Sequence, residues 1–230
     1  PAVAYATGLA AETGLFQTLL SAGDHVVCSR ALYGGTTRLL QKVLSRFQVH
    51  STFVDTRDLE LLRAAIQPET KLVFLETPAN PTLDLTDVRA AAGIARTSGV
   101  LSAVDNTFLT AVLQRPLDLG ADFSVYSTTK FVDGHSVALG GAIVGRDERL
   151  LEQLRFVRKC TGSIQSPFNA WLTLQGLKTL PLRIRQQSAN AARITEWLSG
   201  EEEVSAVHYP TVLDAALAER QHLGAHGAVV

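Results

Sequence analysis

The sequence predicts an α/β fold built on a mainly parallel sheet, and two observations carry that reading. Strand-like apolar runs at 25–28, 49–54, 72–75 and 101–104 alternate with helix-like stretches at 59–66 and 88–95, the pattern of right-handed βαβ units. Polar groups also stand directly after three of the apolar runs: Glu76 and Asn80 after Leu72-Val73-Phe74-Leu75, Asp105 after Ser102-Ala103-Val104, and Ser127 to Lys130 after Phe123-Ser124-Val125. Parallel sheets gather functional groups at the carboxyl ends of their strands, so the site is expected there.

Each element has a local reason. A helix opens at Thr7-Gly8 and runs through Leu9, Thr13, Phe16 and Leu20 to Gly23, with apolar positions three and four apart. Its first backbone N–H groups lack intrahelical partners, so Gly8 and Leu9 form a turn able to take a phosphate. Ala31-Leu32-Tyr33-Gly34-Gly35-Thr36 is a turn feeding a second helix through Leu39, Leu40, Val43 and Leu44. Beyond Lys130, residues 139–145 read as a strand and 148–157 as a helix. Ser166-Pro167-Phe168 opens a long helix that Pro181 is expected to break or kink; the pattern resumes to Gly200. Residues 204–208 read as the first strand of a smaller domain, and Gly227-Ala228-Val229-Val230 as a strand interrupted near its start. Residues 1–180 are thus expected to form a large cofactor-binding domain whose N-terminal part is missing. Residues 181–230 are expected to supply a linking helix and the start of a smaller C-terminal α/β domain, the whole being a piece of a longer protein.

Composition narrows the class. The 230 residues are 46% hydrophobic and 19% charged, enough for a substantial core. A formal net charge of -1 without a basic block gives no footprint for nucleic acid or an anionic membrane, and a small-molecule partner is expected. No apolar run reaches the roughly 18 residues needed to cross a bilayer, and no secretory pattern opens the chain, so a cytoplasmic protein is expected. Cys28 and Cys160 form no C-x-x-C pair and read as reduced packing residues. His222 and His226 are four apart, but Gly224 lies between them and no third ligand is evident. They read as a solvated helix end, and no metal is expected.

The chemistry converges on Val125-Tyr126-Ser127-Thr128-Thr129-Lys130-Phe131. A partly desolvated lysine amine is available to form a Schiff base with an aldehyde cofactor, and the hydroxyls of Ser127 and Thr129 are spaced to reach one phosphate. An acid at Asp105 would keep a pyridine nitrogen protonated, the side-chain amide of Asn80 would hold a ring hydroxyl, and Tyr33 would cover the ring face. Together with Gly8 and Leu9 this is the set of groups that pyridoxal 5'-phosphate requires. A G-x-S-x-G elbow, a G-x-G-x-x-G turn and a P-loop are all absent.

These words resemble those of the trans-sulfuration family, the pyridoxal-phosphate enzymes of cysteine and methionine metabolism with the aspartate aminotransferase fold (fold type I). Ala6-Thr7-Gly8-Leu9-Ala10-Ala11 resembles the family's phosphate turn, Tyr33-Gly34-Gly35-Thr36 its stacking tyrosine, and Glu76-Thr77-Pro78-Ala79-Asn80-Pro81-Thr82 its ring-hydroxyl loop. Val104-Asp105-Asn106-Thr107-Phe108 resembles the segment of the pyridine-nitrogen acid, and Tyr126 to Phe131 the lysine segment. The likeness continues through 162–180.

The resemblance implies that Lys130, Tyr33 and Asp105 are catalytic, with Lys130 becoming the Cα base once an amino-acid substrate displaces it. It implies a homo-oligomer, dimer or tetramer, with shared active sites, and a substrate-carboxylate arginine beyond Val230. Gly35 stands where methionine lyases carry cysteine. His135-Ser136-Val137 departs from the His-Ser-Asp common among lyases. Both favour γ-replacement on an activated homoserine with a thiol or sulfide, as in O-succinyl- or O-acetylhomoserine sulfhydrylases and cystathionine γ-synthases. Cystathionine γ- or β-lyase is one alternative. The others are a cofactor-binding relative without turnover and an aminotransferase or desulfurase on the same fold.

Overall fold

The structure, a computed structural model, describes residues 1–230. Seven strands form one sheet: β1 (Ala2–Tyr5), β2 (His25–Ser29), β3 (His50–Val54), β4 (Thr70–Glu76), β5 (Leu101–Asp105), β6 (Phe123–Ser127) and β7 (Gly141–Gly145). Their order is β1-β7-β6-β5-β4-β2-β3. The strands from β3 to β6 are parallel. β7 runs antiparallel to β6, and β1 antiparallel to β7 with Ala2 opposite Val144. The expected mainly parallel sheet is therefore present. β1 is an addition that no local signal announced.

Eight helices surround the sheet: α1 (Gly8–Leu19), α2 (Gly34–Arg38), α3 (Leu59–Ala65), α4 (Val88–Thr97), α5 (Thr110–Leu113), α6 (Glu148–Thr161), α7 (Pro167–Leu198) and α8 (Pro210–Gln221). Side chains alternate across the strands, and both faces are covered. Val26, Cys28, Phe74 and Val125 face a core with Leu15 and Phe16 of α1 and Leu151 and Leu154 of α6. Val27, Val73, Leu75 and Val104 face another with Leu62 of α3 and Val88 and Ala91 of α4. The Phe16 and Phe74 rings lie 5.2 Å apart and tilted, a pairing that contributes about 0.5–1.5 kcal/mol beyond burial. Thr7, Asp58, Asp87, Asp147 and Ser166 cap the helices that follow them by accepting from first-turn N–H groups.

Several expectations are corrected. The first helix buries Gly8, Ala11, Glu12, Leu15 and Phe16, whereas Leu9 is exposed; the inner face is rotated from the predicted stripe. The helix after Tyr33 gives way to a π turn at Leu39–Val43 and a 3-10 turn at Leu44–Phe47.

Pro181 does not end α7, which runs unbroken across residue 180. Leu177, whose carbonyl Pro181 deprives of a donor, lies with it on an exposed face, while Gly176, Leu180 and Ile184 anchor the opposite face. Residues 204–208 form no strand, because a strand needs a ladder; the segment lies on the Thr82 loop instead, with His208 Nδ1 3.1 Å from the Thr82 carbonyl. Residues 228–230 are likewise not extended into a sheet.

Cys28 is buried as expected, but Cys160 is exposed on the outer face of α6. His222 is buried rather than solvated, since the end of α8 docks on α5 through the Leu223 N–H donating to the Leu113 carbonyl. Burial first, and the neighbouring His226 second, push His222 down to about 3. The two rings approach through Nδ1 atoms 3.3 Å apart, and no group of three metal-binding side chains forms around them.

Candidate active site

All eight residues singled out in the sequence meet in one place. Gly8, Leu9, Tyr33, Asn80, Asp105, Ser127, Thr129 and Lys130 line a pocket of about 270 Å³ at the carboxyl ends of β4, β5 and β6, together with Thr7, Glu12, Glu76, Thr107, Phe108 and Leu139. A second opening of about 700 Å³ shares Asn80, Thr129 and Lys130 and adds Ser136, Val137 and Gln187.

One end of the pocket is formed by the start of α1. The Ala10 N–H donates to Thr7 Oγ1 and the Ala11 N–H to the Thr7 carbonyl, leaving the N–H groups of Gly8 and Leu9 as first-turn donors. Gly8 must be glycine here, because a Cβ would lie 2.6 Å from Ser127 Cβ and 2.9 Å from Ser127 Oγ. Close packing thus brings two backbone donors and the Ser127 hydroxyl together, a donor set suited to a phosphate. Thr129 is engaged differently from expectation. Its hydroxyl donates to the Gly140 carbonyl at 3.2 Å and accepts the Gly140 N–H at 3.1 Å, fastening the lysine turn to the start of β7.

The other end is acidic. Asp105 is buried, with Oδ1 accepting the Thr107 N–H at 2.9 Å; burial pushes its carboxyl up, and the bonds to Thr107 oppose this. Thr107 Oγ1 in turn accepts the Ser127 N–H at 2.8 Å, so one threonine links the acid to the lysine strand. Glu76 accepts the Tyr33 N–H on one oxygen and the Asn80 N–H on the other, both at 2.8 Å. Burial and the nearby Asp105 push Glu76 well up, against the pull of those two donors. Glu12, buried one turn along α1 from Gly8, accepts from Thr36 Oγ1 at 2.7 Å. Burial first, then Asp105, push it up to about 8.

Lys130 follows β6 in a tight turn, its N–H directed at the Ser127 carbonyl. It is exposed rather than partly desolvated, because the turn carries it to the rim shared by the two openings. Tyr33 is 47% exposed, with its ring against Gly35, where a Cβ would come within 2.3 Å of the ring. Behind the site runs a buried amide chain. Asn106 Nδ2 donates to the Tyr126 hydroxyl and the Gln114 carbonyl, Gln114 Nε2 to Asn106 Oδ1, and Gln221 Nε2 to Gln114 Oε1.

Glu12, Thr107 and Gly140 carried no individual role in the sequence reading. Glu12 had a usable signal, since it lies four residues after Gly8 and so shares its helix face.

The combination of a parallel sheet, a helix-start donor set, a buried acid and a strand-end lysine defines a fold type I cofactor site. A solved cystathionine gamma-lyase from Lactobacillus plantarum, complexed with L-serine, superposes with a TM-score of 0.96 at 40% identity, covering 99% of this chain and 60% of that one. The sequence matches the family described as "Cys/Met metabolism PLP-dependent enzyme" over residues 1–230. This chain belongs to that family, and its cofactor is pyridoxal 5'-phosphate.

Relatives with different named activities are similar to it to nearly the same degree. A probable cystathionine gamma-synthase of Herpetosiphon aurantiacus is 44% identical over 91% of this chain and 65% of its own length. Cystathionine beta-lyase MetC of Bacillus subtilis is 42% identical over 98% and 57%. O-succinylhomoserine sulfhydrylase of Pseudomonas aeruginosa is 44% identical over 100% and 57%. The chain thus spans somewhat more than half the length of these relatives. No helix in it is long and apolar enough to cross a membrane.

Proposed function

We propose that the protein catalyses γ-replacement on an activated homoserine, in which the Cγ–O bond breaks, the acyloxy group leaves as a carboxylate and a thiol or sulfide bonds to Cγ. The observation that carries replacement over elimination is Val137. It is 57% exposed on the wall of the larger opening beside Lys130, at the position where lyases of the family commonly carry an aspartate. An apolar wall there offers no acid to protonate a departing thiolate, whereas the carboxylate lost from an acylhomoserine leaves without one. The relatives named as a synthase and a sulfhydrylase support the same reading, whereas the beta-lyase relative keeps elimination as the competing one.

When bound, pyridoxal 5'-phosphate supplies an electron sink for charge developing at the substrate Cα. Lys130 Nζ would hold its aldehyde and would take and return protons at the substrate Cα. The Asp105 carboxylate holds a proton on the ring nitrogen through a charge-assisted bond. The N–H groups of Gly8 and Leu9 and the Ser127 hydroxyl hold the phosphate, with Thr129 fixing the turn beside it. Tyr33 covers the ring face and the Asn80 amide holds the ring hydroxyl.

In this reading residues 1–180 belong to the large domain and 181–230 lead into a smaller one. The whole protein is a homo-oligomer, for which the exposed Phe156, Phe168, Trp171, Leu174 and Leu182 provide apolar surface. The test is the product spectrum of the full-length protein offered O-succinylhomoserine or O-acetylhomoserine with sulfide or cysteine, and cystathionine alone. Condensation products are expected from an acylhomoserine. Cleavage of cystathionine without any condensation would overturn replacement in favour of lysis.

A further inference from the structure

Arg183 lies on α7, fifty-three positions after Lys130, yet it grips the backbone immediately beyond that lysine. Its Nη1 donates to the Phe131 carbonyl at 2.9 Å and its Nη2 to the Val132 carbonyl at 3.3 Å. The same guanidinium is fixed on its own helix, with Nη2 donating to the Gly176 carbonyl at 2.8 Å and Nε to Thr179 Oγ1 at 2.9 Å. No carboxylate pairs with it, so its charge is directed at three carbonyl oxygens and the Thr179 hydroxyl. The planar fork suits this task in a way that a lysine could not match.

The surroundings are shaped around that grip. Gly134 (φ 71°) leaves room for the guanidinium, since a Cβ there would lie 1.8 Å from Nη1. Gly176 lets α7 press on the turn, since a Cβ there would lie 2.4 Å from the Asp133 carbonyl oxygen. Within the turn, the Gly134 N–H donates to the Lys130 carbonyl at 2.8 Å.

We infer that Arg183 is a positioning residue for the cofactor lysine: it clamps the turn 131–134 to α7 and thereby fixes the peptide from which Lys130 reaches its partner. This deepens the proposed function and rests on Lys130 being the residue that bonds the cofactor.

The test uses the full-length holoprotein and reads visible absorbance, visible circular dichroism per bound cofactor, and the rate of cofactor release. Pyridoxal phosphate is achiral, so its visible dichroism reports how firmly the protein orients it. Arg183→Ala is expected to keep the visible absorption band but lose about two-thirds or more of the dichroism and release cofactor about tenfold faster, with added guanidinium ion restoring part of the signal. Arg183→Lys should fall between the two. Gly134→Ala, which leaves Arg183 in place but blocks its seat, should reproduce the Arg183→Ala spectrum and resist rescue. It also carries the test should Arg183→Ala not fold. Wild-type dichroism and release rate in Arg183→Lys and Gly134→Ala would overturn the inference, whatever happens to thermal stability. Lys130→Ala separates the two readings: if it retains the visible band, the lysine assignment fails; if it loses the band while the Arg183 and Gly134 variants behave as wild type, only the clamp fails.

Discussion

Glu76 and Tyr33, forty-three positions apart, meet through one hydrogen bond, the Tyr33 N–H donating to Glu76 Oε2 at 2.8 Å. The other oxygen of the same carboxylate takes the Asn80 N–H. A residue that the sequence marked only as a strand-end acid therefore sets the spacing between Tyr33 and Asn80.

Glu76→Gln replaces one acceptor oxygen by a donor and leaves a half-buried N–H without its partner, at a cost of about 1 kcal/mol. Cofactor affinity of the full-length protein, followed by absorbance titration, should fall about tenfold, with a lowered melting temperature. Unchanged affinity would mean that Tyr33 and Asn80 hold their places without Glu76.

Asp105→Ala should still bind cofactor but slow exchange of the substrate Cα proton with solvent about a hundredfold or more, because the group proposed to hold the ring-nitrogen proton is gone. Exchange at the wild-type rate, measured by proton resonance in deuterated buffer, would remove Asp105 from its proposed role.

Glu12 gives a pH signature. Its folded value, about 8, lies above the ordinary carboxylate value of 4.5. The folded state therefore binds more protons than the unfolded chain between those limits, and stability falls as pH rises through them. The protonated acid is the favoured buried form, and ionising it costs stability. Glu12→Gln should therefore raise the melting temperature of the cofactor-free full-length protein at pH 9 relative to wild type, and change it little at pH 4. An equal shift at both pH values would contradict the assignment.

Gly8→Ala forces a methyl group against Ser127, whose Cα would lie 2.9 Å away. Cofactor binding should weaken about tenfold or more, because the donor set must spread. Gly93→Ala is the control: nothing lies within 4 Å of its added Cβ in the middle of α4, so affinity should hold and stability rise by up to about 1 kcal/mol. Equal losses in both variants would indicate that alanine acts through helix geometry rather than through the Gly8–Ser127 contact.

The parallel strands and their terminal polar residues were legible in the sequence because local patterns determine them: an apolar run buried on both faces, then Asp105 or Ser127 where the chain leaves the sheet. Glu12 was signalled only by its place four residues after Gly8, because a glutamate in a helix has the same one-dimensional pattern whether it faces solvent or, as here, the Thr36 hydroxyl of another element. The continuity of α7 was hidden for a related reason. Pro181 carries a local penalty, and the anchors at Gly176, Leu180 and Ile184 that outweigh it belong to tertiary packing. His222 was misread because its burial depends on where α5 lies.

The pairing of β1 with β7 sets an order of assembly. Val3 pairs with Ile143 and Tyr5 with Gly141, so β1 finds its ladder partner only after every other strand of the sheet has been synthesised. Contacts this remote in sequence form late and slowly, and an apolar strand left unpaired that long exposes its edge to aggregation.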